Sequence, residues 1–76
     1  MKTKRVTLAI EDLSYGGGGV LIVEHALAVT PGVVRVYVNA AIEMAYIEFD
    51  PVLSDLDSLV KVVEDAGFHA GKPGLR

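Results

Sequence analysis

Hydrophobic residues occupy every second position between residues 5 and 10. This period of two is typical of a β-strand with one buried face, which would hold Val6, Leu8 and Ile10. Between residues 20 and 29 the apolar positions change to the spacing of a helix, with Val20, Val23, Ala26 and Leu27 on its buried side. We expect this helix to end at Pro31 and Gly32, because both residues are common just beyond a helix C-terminus.

Two further strands are predicted at residues 33–38 and 44–49, joined by a short turn over residues 39–42. The first of these strands alternates between two faces. One face holds Val34, Val36 and Val38, and the other holds Val33, Arg35 and Tyr37. On the second strand, the residues expected to face the core are Ala45, Ile47 and Phe49.

A second helix is predicted after Asp50 and Pro51, and its expected N-cap is either Ser54 or Asp55. The apolar face of this helix comprises Leu56, Leu59, Val60 and Val63. Gly67 is expected to end it. Residues 68–70 predict a short last strand, and residues 71–76 form a polar tail that we expect to fray.

The predicted order is strand–helix–strand–strand–helix–strand, in which two similar halves meet at the turn over residues 39–42. Right-handed crossovers in both halves place the two helices on one face of a four-stranded antiparallel sheet. We therefore predict an α+β fold with the ferredoxin-like βαββαβ arrangement. The 76 residues make one domain, with its core at about residues 5–70.

Composition narrows the range of functions. The chain has ten acidic and seven basic residues, a net charge of −3, and basic residues that are spread along its length. Nucleic acid requires clustered positive charge, so we expect no nucleic-acid partner. No apolar run approaches the roughly 20 residues that cross a bilayer, and the start lacks the apolar core of a signal peptide. We therefore expect a cytoplasmic protein with no membrane insertion.

The chain contains no cysteine. Disulfides, thiolate metal sites, iron–sulfur clusters and cysteine nucleophiles are therefore excluded. The three serines at positions 14, 54 and 58 have no histidine and acid placed beside them in the sequence. Since no catalytic constellation is present, we expect that the protein is not an enzyme.

Four segments of the chain resemble those of one known family. They are VEHAL at residues 23–27, PGVVRVYVN at residues 31–39, AYIEFDP at residues 45–51 and VEDAGF at residues 63–68. In these segments and in their spacing the chain resembles heavy-metal-associated domains, which occur as copper or heavy-metal chaperones and in the N-terminal regions of P-type ATPases. The resemblance covers about residues 5–70. It implies the ferredoxin-like fold and a place in metal ion transport or homeostasis.

The resemblance also implies a metal-binding loop between the first strand and the first helix, where the family carries a GMTCxxC or GMSCxxC motif. Counting back from Glu24 places the two cysteines at Gly16 and Gly19 and the methionine at Ser14. Two thiolates at a helix N-terminus bind Cu(I) or another soft or borderline metal, whereas glycine offers only backbone carbonyls. We therefore expect neither a metal nor a cofactor in this chain.

Three other residues are candidates near this loop. Phe68 matches the aromatic residue that packs beside the metal loop in the family. His25 has only apolar neighbours at helical spacing, and His69 is predicted to approach the loop. Because a stable metal site needs three or four ligands, both histidines are weak metal candidates.

These observations predict a heavy-metal-associated-type domain that lacks the thiolate site and works as a docking or regulatory module. Its protein partner would belong to a metal-transport pathway. The open edges of the predicted sheet also permit a weak homodimer. The alternative is an ACT-like regulatory domain that binds a small effector. Such domains share the element order, and residues 18–21 faintly resemble their first loop.

Overall fold

The computed structural model describes residues 2–11 and 18–75. It contains, in chain order, β1 (Lys4–Glu11), α1 (Gly19–Ala28), β2 (Val33–Asn39), β3 (Met44–Phe49), α2 (Leu56–Asp65) and β4 (His69–Leu75). The strands form one sheet in the order β2-β3-β1-β4, and each neighbouring pair is antiparallel. This arrangement confirms the predicted ferredoxin-like fold.

One face of the sheet and the inner faces of both helices form a single core. Its buried members among the described residues are Val6, Leu8, Ile10, Val23, Leu27, Val38, Ala45, Ile47, Phe49, Leu59 and Val63. The alternation in β1 and β3 places their buried residues on the same side of the sheet. The two helices contact each other as well as the sheet, so both lie on this one face, as the sequence predicts.

Strand β2 departs from the predicted alternation at its start. Val33 lies opposite Phe49 and Arg35 lies opposite Glu48, so the register shifts by one residue between them. The extra residue is Val34, which is exposed. Because a β-bulge interrupts the period of two, Val33 packs against the core with Val36 and Val38. The prediction that Val34 shares a face with Val36 and Val38 is therefore wrong.

Strand β4 is longer than the sequence predicts. It continues to Leu75, which lies opposite Val6, so residues 71–75 are part of the sheet rather than a frayed tail. A register shift between Leu8 and Ile10 accommodates this pairing. Pro73 is tolerated because β4 is an edge strand, where a missing backbone N–H need not interrupt the sheet.

The second helix has a cap at each end. Asp55, not Ser54, is its N-cap, and the backbone N–H of Ser58 donates to Oδ1 of Asp55 at 2.8 Å. This hydrogen bond and one from the Ser58 side chain hold the pKa of Asp55 below its usual value, because both favour the carboxylate.

Among the described residues, neither helix has the length and apolar character that a membrane span requires.

Candidate functional site

The candidate site is the segment that joins β1 to α1. Ser14 and Gly16, which the family alignment places at the methionine and first cysteine positions, lie outside the described residues. Gly19, at the second cysteine position, is the first residue of α1 and is buried. A side chain introduced at this position would therefore be attached to a backbone that is shielded from solvent.

Gly18 sets the direction in which the chain enters α1. Its φ angle of 75° lies in the left-handed region, and its carbonyl accepts the first hydrogen bond of the helix, from the N–H of Ile22 at 3.2 Å. Among the residues that the structure describes, no side chain caps this helix, and its first turn contains no acidic residue. The positive end of the helix dipole at this terminus favours an anion such as a thiolate.

The run of four glycines did not reveal which one has a special backbone conformation. The alignment singled out Gly16 and Gly19, whereas the described residue with a positive φ is Gly18, which lies between them. Because glycine adopts both signs of φ, the sequence alone gives no signal that separates these positions. Gly18 is identified by its place immediately before the first residue of α1.

The C-terminal end of α2 is fixed by a Schellman motif. The N–H of Gly67 donates to the carbonyl of Glu64 at 3.0 Å, and the N–H of Phe68 donates to the carbonyl of Val63 at 3.2 Å. Gly67 has a φ of 100°, which glycine adopts without strain. The motif turns the chain so that Phe68 packs half-buried against the core.

The two histidines occupy different places. His69 begins β4 and lies opposite Glu11, the last residue of β1, so it stands where the glycine loop starts. His25 is exposed on α1, six residues after Gly19, which is about 9 Å along the helix axis at 1.5 Å per residue. The fold therefore brings His69, but not His25, to the base of the loop.

The turn between β2 and β3 lies at this same end of the molecule. The backbone N–H of Ile10 donates to the carbonyl of Glu43 at 2.9 Å, which holds the turn beside the end of β1. The loop end of the molecule thus comprises the start of α1, this turn, the end of α2 and the start of β4. Within the described residues, no group of three or more histidines and carboxylates could hold a metal ion.

Comparison with known proteins gives this geometry a context. No family model matches the chain. The rice (Oryza sativa subsp. japonica) protein named copper-transporting ATPase HMA4 is 44% identical over 48 residues, which are 63% of this chain and 5% of the rice protein. The chain therefore spans about 5% of the length of that curated relative.

Two solved structures cover nearly the whole chain. The N-terminal domain of PacS from Synechocystis PCC6803 is 30% identical, with a TM-score of 0.76, and the match covers 93% of this chain and 96% of that domain. Oxidized MerP from Ralstonia metallidurans CH34 is 26% identical, with a TM-score of 0.87, and the match covers 92% of this chain and 96% of MerP. Fold, sequence identity and coverage agree, and the chain belongs to the family of heavy-metal-associated domains.

Proposed function

We propose that this chain acts in metal homeostasis as a heavy-metal-associated domain that holds no metal through thiolates and works as a docking or regulatory module. The observation that carries the proposal is an intact family frame around a loop without cysteine. The relatives named above include a copper-transporting ATPase, which supports a role in copper transport.

The frame that positions the loop is retained in this chain. Gly19 begins α1 in a buried position, the start of α1 has no side-chain cap within the described part of the chain, and Phe68 packs at the end of α2. These features would support two thiolates if cysteines stood at residues 16 and 19. Two glycines supply only carbonyl oxygens, which are hard ligands and a poor match for Cu(I).

A docking role finds support at the loop end of the molecule. Of the described residues there, three large apolar side chains are exposed: Leu21 at 72%, Ile22 at 53% and Ile42 at 55%. Exposed carboxylates lie around them, Glu11 at the end of β1 and Glu64 and Asp65 at the end of α2. An apolar centre with an acidic rim suits a partner with an apolar patch bordered by lysine or arginine.

A nuclear magnetic resonance titration tests the docking role. The ¹⁵N-labelled chain is titrated with a heavy-metal-associated domain that has a basic surface around its metal loop. We expect saturable shifts at the loop end and binding that weakens as salt is raised. Leu21→Lys should weaken binding by at least about tenfold, because it places a charge in the apolar centre.

Val52→Lys is the matched control. Val52 is 86% exposed in the turn after β3, and this turn packs against Gly32, just beyond the opposite end of α1. The control should bind as the unaltered chain does. Equal losses in the two variants, or shifts spread over the whole surface, would contradict docking through the loop end.

A competition titration of the unaltered chain with a Cu(I) chelator tests the other part of the proposal, that the chain holds no metal through thiolates. We expect the chelator to keep the metal, because the chain has no thiolate to offer. Tight competition by the unaltered chain would show ligands other than thiolates, with His69 as the first residue to replace.

The ACT-like alternative shares the element order, but the relatives named above favour the metal-domain interpretation. Amino-acid effectors that raise the melting temperature would reverse that preference.

A further inference from the structure

The outer face of the sheet, turned away from both helices, carries two cross-strand rows of charged, polar and aromatic side chains. In the first row, here called the charged row, Glu48 of β3 lies directly opposite both Arg5 of β1 and Arg35 of β2. In the second, the aromatic row, Tyr46 of β3 lies opposite Thr7 and Tyr37 in the same way. Directly opposed residues share a face, so both rows project from one surface.

The aromatic row presents an open ring. Tyr37 and Tyr46 are stacked, with ring centroids 5.9 Å apart and an angle of 29° between the ring planes. Tyr37 is 57% exposed, so much of its surface is available to another planar group. Stacking of a base on an exposed aromatic side chain is a common way for sheet surfaces to hold nucleotides.

A shallow cavity of about 260 Å³ lies between the two rows, lined by Arg5, Arg35, Tyr37, Tyr46, Ile47 and Glu48. Pockets that enclose whole drug-sized ligands have volumes of about 300–1,000 Å³. This cavity therefore suits one ring system, with the rest of the ligand lying across the open sheet.

The charged row offers donors and an acceptor side by side. Oε2 of Glu48 accepts a hydrogen bond from Oγ1 of Thr3, which holds the carboxylate in place. A fixed carboxylate can accept from an amino group on a ring, and each guanidinium can donate two parallel hydrogen bonds to a phosphate. The carboxylate of Glu48 thus suits the amino group of a base, and the guanidinium groups of Arg5 and Arg35 suit a phosphate.

Folding brings together basic residues that the sequence separates. Arg5 and Arg35 are two strands apart, which is about 10 Å at the usual strand spacing. Their two positive charges and the negative charge of Glu48 leave the row with one net positive charge. A long polyanion requires more positive charge than this, whereas a single nucleotide does not.

We propose that the outer sheet face binds an amino-bearing mononucleotide, with its base against Tyr37, its amino group on Glu48 and its phosphate on Arg35, which lies on the same strand as Tyr37. The ligand class follows from the three chemistries that the two rows place together. This site lies on the opposite side of the sheet from α1 and α2, and it needs no metal.

Titrations of the ¹⁵N-labelled chain with AMP, IMP and adenosine test this proposal. We expect AMP to give saturable shifts centred on β1, β2 and β3. IMP, which has a carbonyl where AMP has the amino group, should bind at least about fivefold more weakly because Glu48 would repel it. Adenosine, which lacks the phosphate, should also bind at least about fivefold more weakly.

Three variants separate recognition from general charge. Arg35→Gln should weaken AMP binding at least about fivefold, whereas Lys61→Gln, which removes one exposed positive charge from α2, should leave it unchanged. Glu48→Gln should bring the AMP and IMP affinities to within about twofold, because an amide can both donate and accept. Circular dichroism melting shows that each variant is folded before it is titrated.

Several results would overturn the proposal. They are AMP shifts that do not saturate, equal affinities for AMP and IMP, or equal effects of Arg35→Gln and Lys61→Gln. Binding of a polyglutamate peptide as tight as that of AMP would show a general anion surface instead. Binding of oligoadenylate without binding of AMP would identify a nucleic-acid strand as the ligand, and the mononucleotide assignment would be wrong.

Discussion

Gly32 is the residue at which the smallest substitution should cause the largest loss of stability. It follows α1 with a φ of 91°, a backbone conformation that residues with a Cβ rarely adopt. Its carbonyl accepts a hydrogen bond from the backbone N–H of Asp50 at 2.7 Å, which joins it to the turn after β3. A Cβ built on Gly32 would stand 2.8 Å from Cβ of Leu53 and 3.2 Å from Cβ of Ser54.

The expected cost of Gly32→Ala has two parts. The left-handed backbone costs an alanine about 1–2 kcal/mol. Forcing a methyl group against Leu53 and Ser54 adds about 1–3 kcal/mol, since the backbone of the turn has to shift. The sum is about 2–5 kcal/mol, and each kcal/mol lowers the melting temperature of a domain of this size by about 4–8 °C. We therefore expect a decrease of at least about 8 °C.

The matched control is Gly67→Ala. Gly67 has a similar φ of 100°, but a Cβ at this position meets no atom within 4 Å. Gly67→Ala should therefore lower the free energy of unfolding only by the cost of the left-handed backbone, about 1–2 kcal/mol. Thermal and urea unfolding of both variants, followed by circular dichroism, measure the difference. Equal losses in the two variants, or a loss at Gly32 below about 1 kcal/mol, would refute the packing part of this reasoning.

Three further substitutions test the local structure. Gly18→Ala should lower stability by about 1–2 kcal/mol from backbone strain alone, because the added methyl group would enter open space; no loss in urea unfolding would mean that the φ of 75° is not required. Ser54→Ala should leave stability unchanged or raise it by up to about 1 kcal/mol, since the buried Ser54 hydroxyl has no hydrogen-bond partner among the described residues; a clear loss would reveal a partner for that hydroxyl. Asp55→Ala should lower the melting temperature at pH 7 but much less at pH 2. The lowered pKa of Asp55 adds stability above the unfolded-state value near 3.8, and this contribution disappears as pH falls through the lower folded-state pKa. Equal effects at both pH values would contradict the role of the carboxylate as the cap.

The fold was predictable because the hydrophobic pattern has a clear period in nearly every element. Val6, Leu8 and Ile10 alternate, and they are buried as predicted. The segment from Leu56 to Val63 keeps a helical period, and Leu59 and Val63 are buried. Each element therefore has only one face that it can place against the core.

The deviations from prediction arise where pairing between distant strands decides the structure. Val34 bulges because β2 has to keep register with β3, a constraint that its own sequence does not contain. Residues 71–75 look like a tail by composition, yet they pair with β1 because the edge of that strand is free to accept them. The alignment of Arg5, Glu48 and Arg35 likewise depends on strand order, which local patterns do not specify.

The candidate site was predictable only in part. The spacing from Glu24 places Gly19 at a ligand position, and the structure puts this residue at the buried start of α1. The left-handed conformation of Gly18 had no signal within a run of four glycines. The roles of Gly16, Gly19, Ser14, Phe68, His25 and His69 stay predictions that experiments have to test.

A Cu(I) competition titration of the double variant Gly16→Cys/Gly19→Cys tests the central claim most directly. The claim is that the loop occupies the position of a thiolate metal site within an otherwise intact frame. Two cysteines would form a chelate at the N-terminus of α1, where the dipole lowers the thiol pKa and favours the thiolate. We predict that the double variant takes Cu(I) from the chelator, that each single cysteine variant does so far less, and that the unaltered chain does not. A double variant that fails to compete while remaining folded would contradict the placement of the ligand positions at residues 16 and 19.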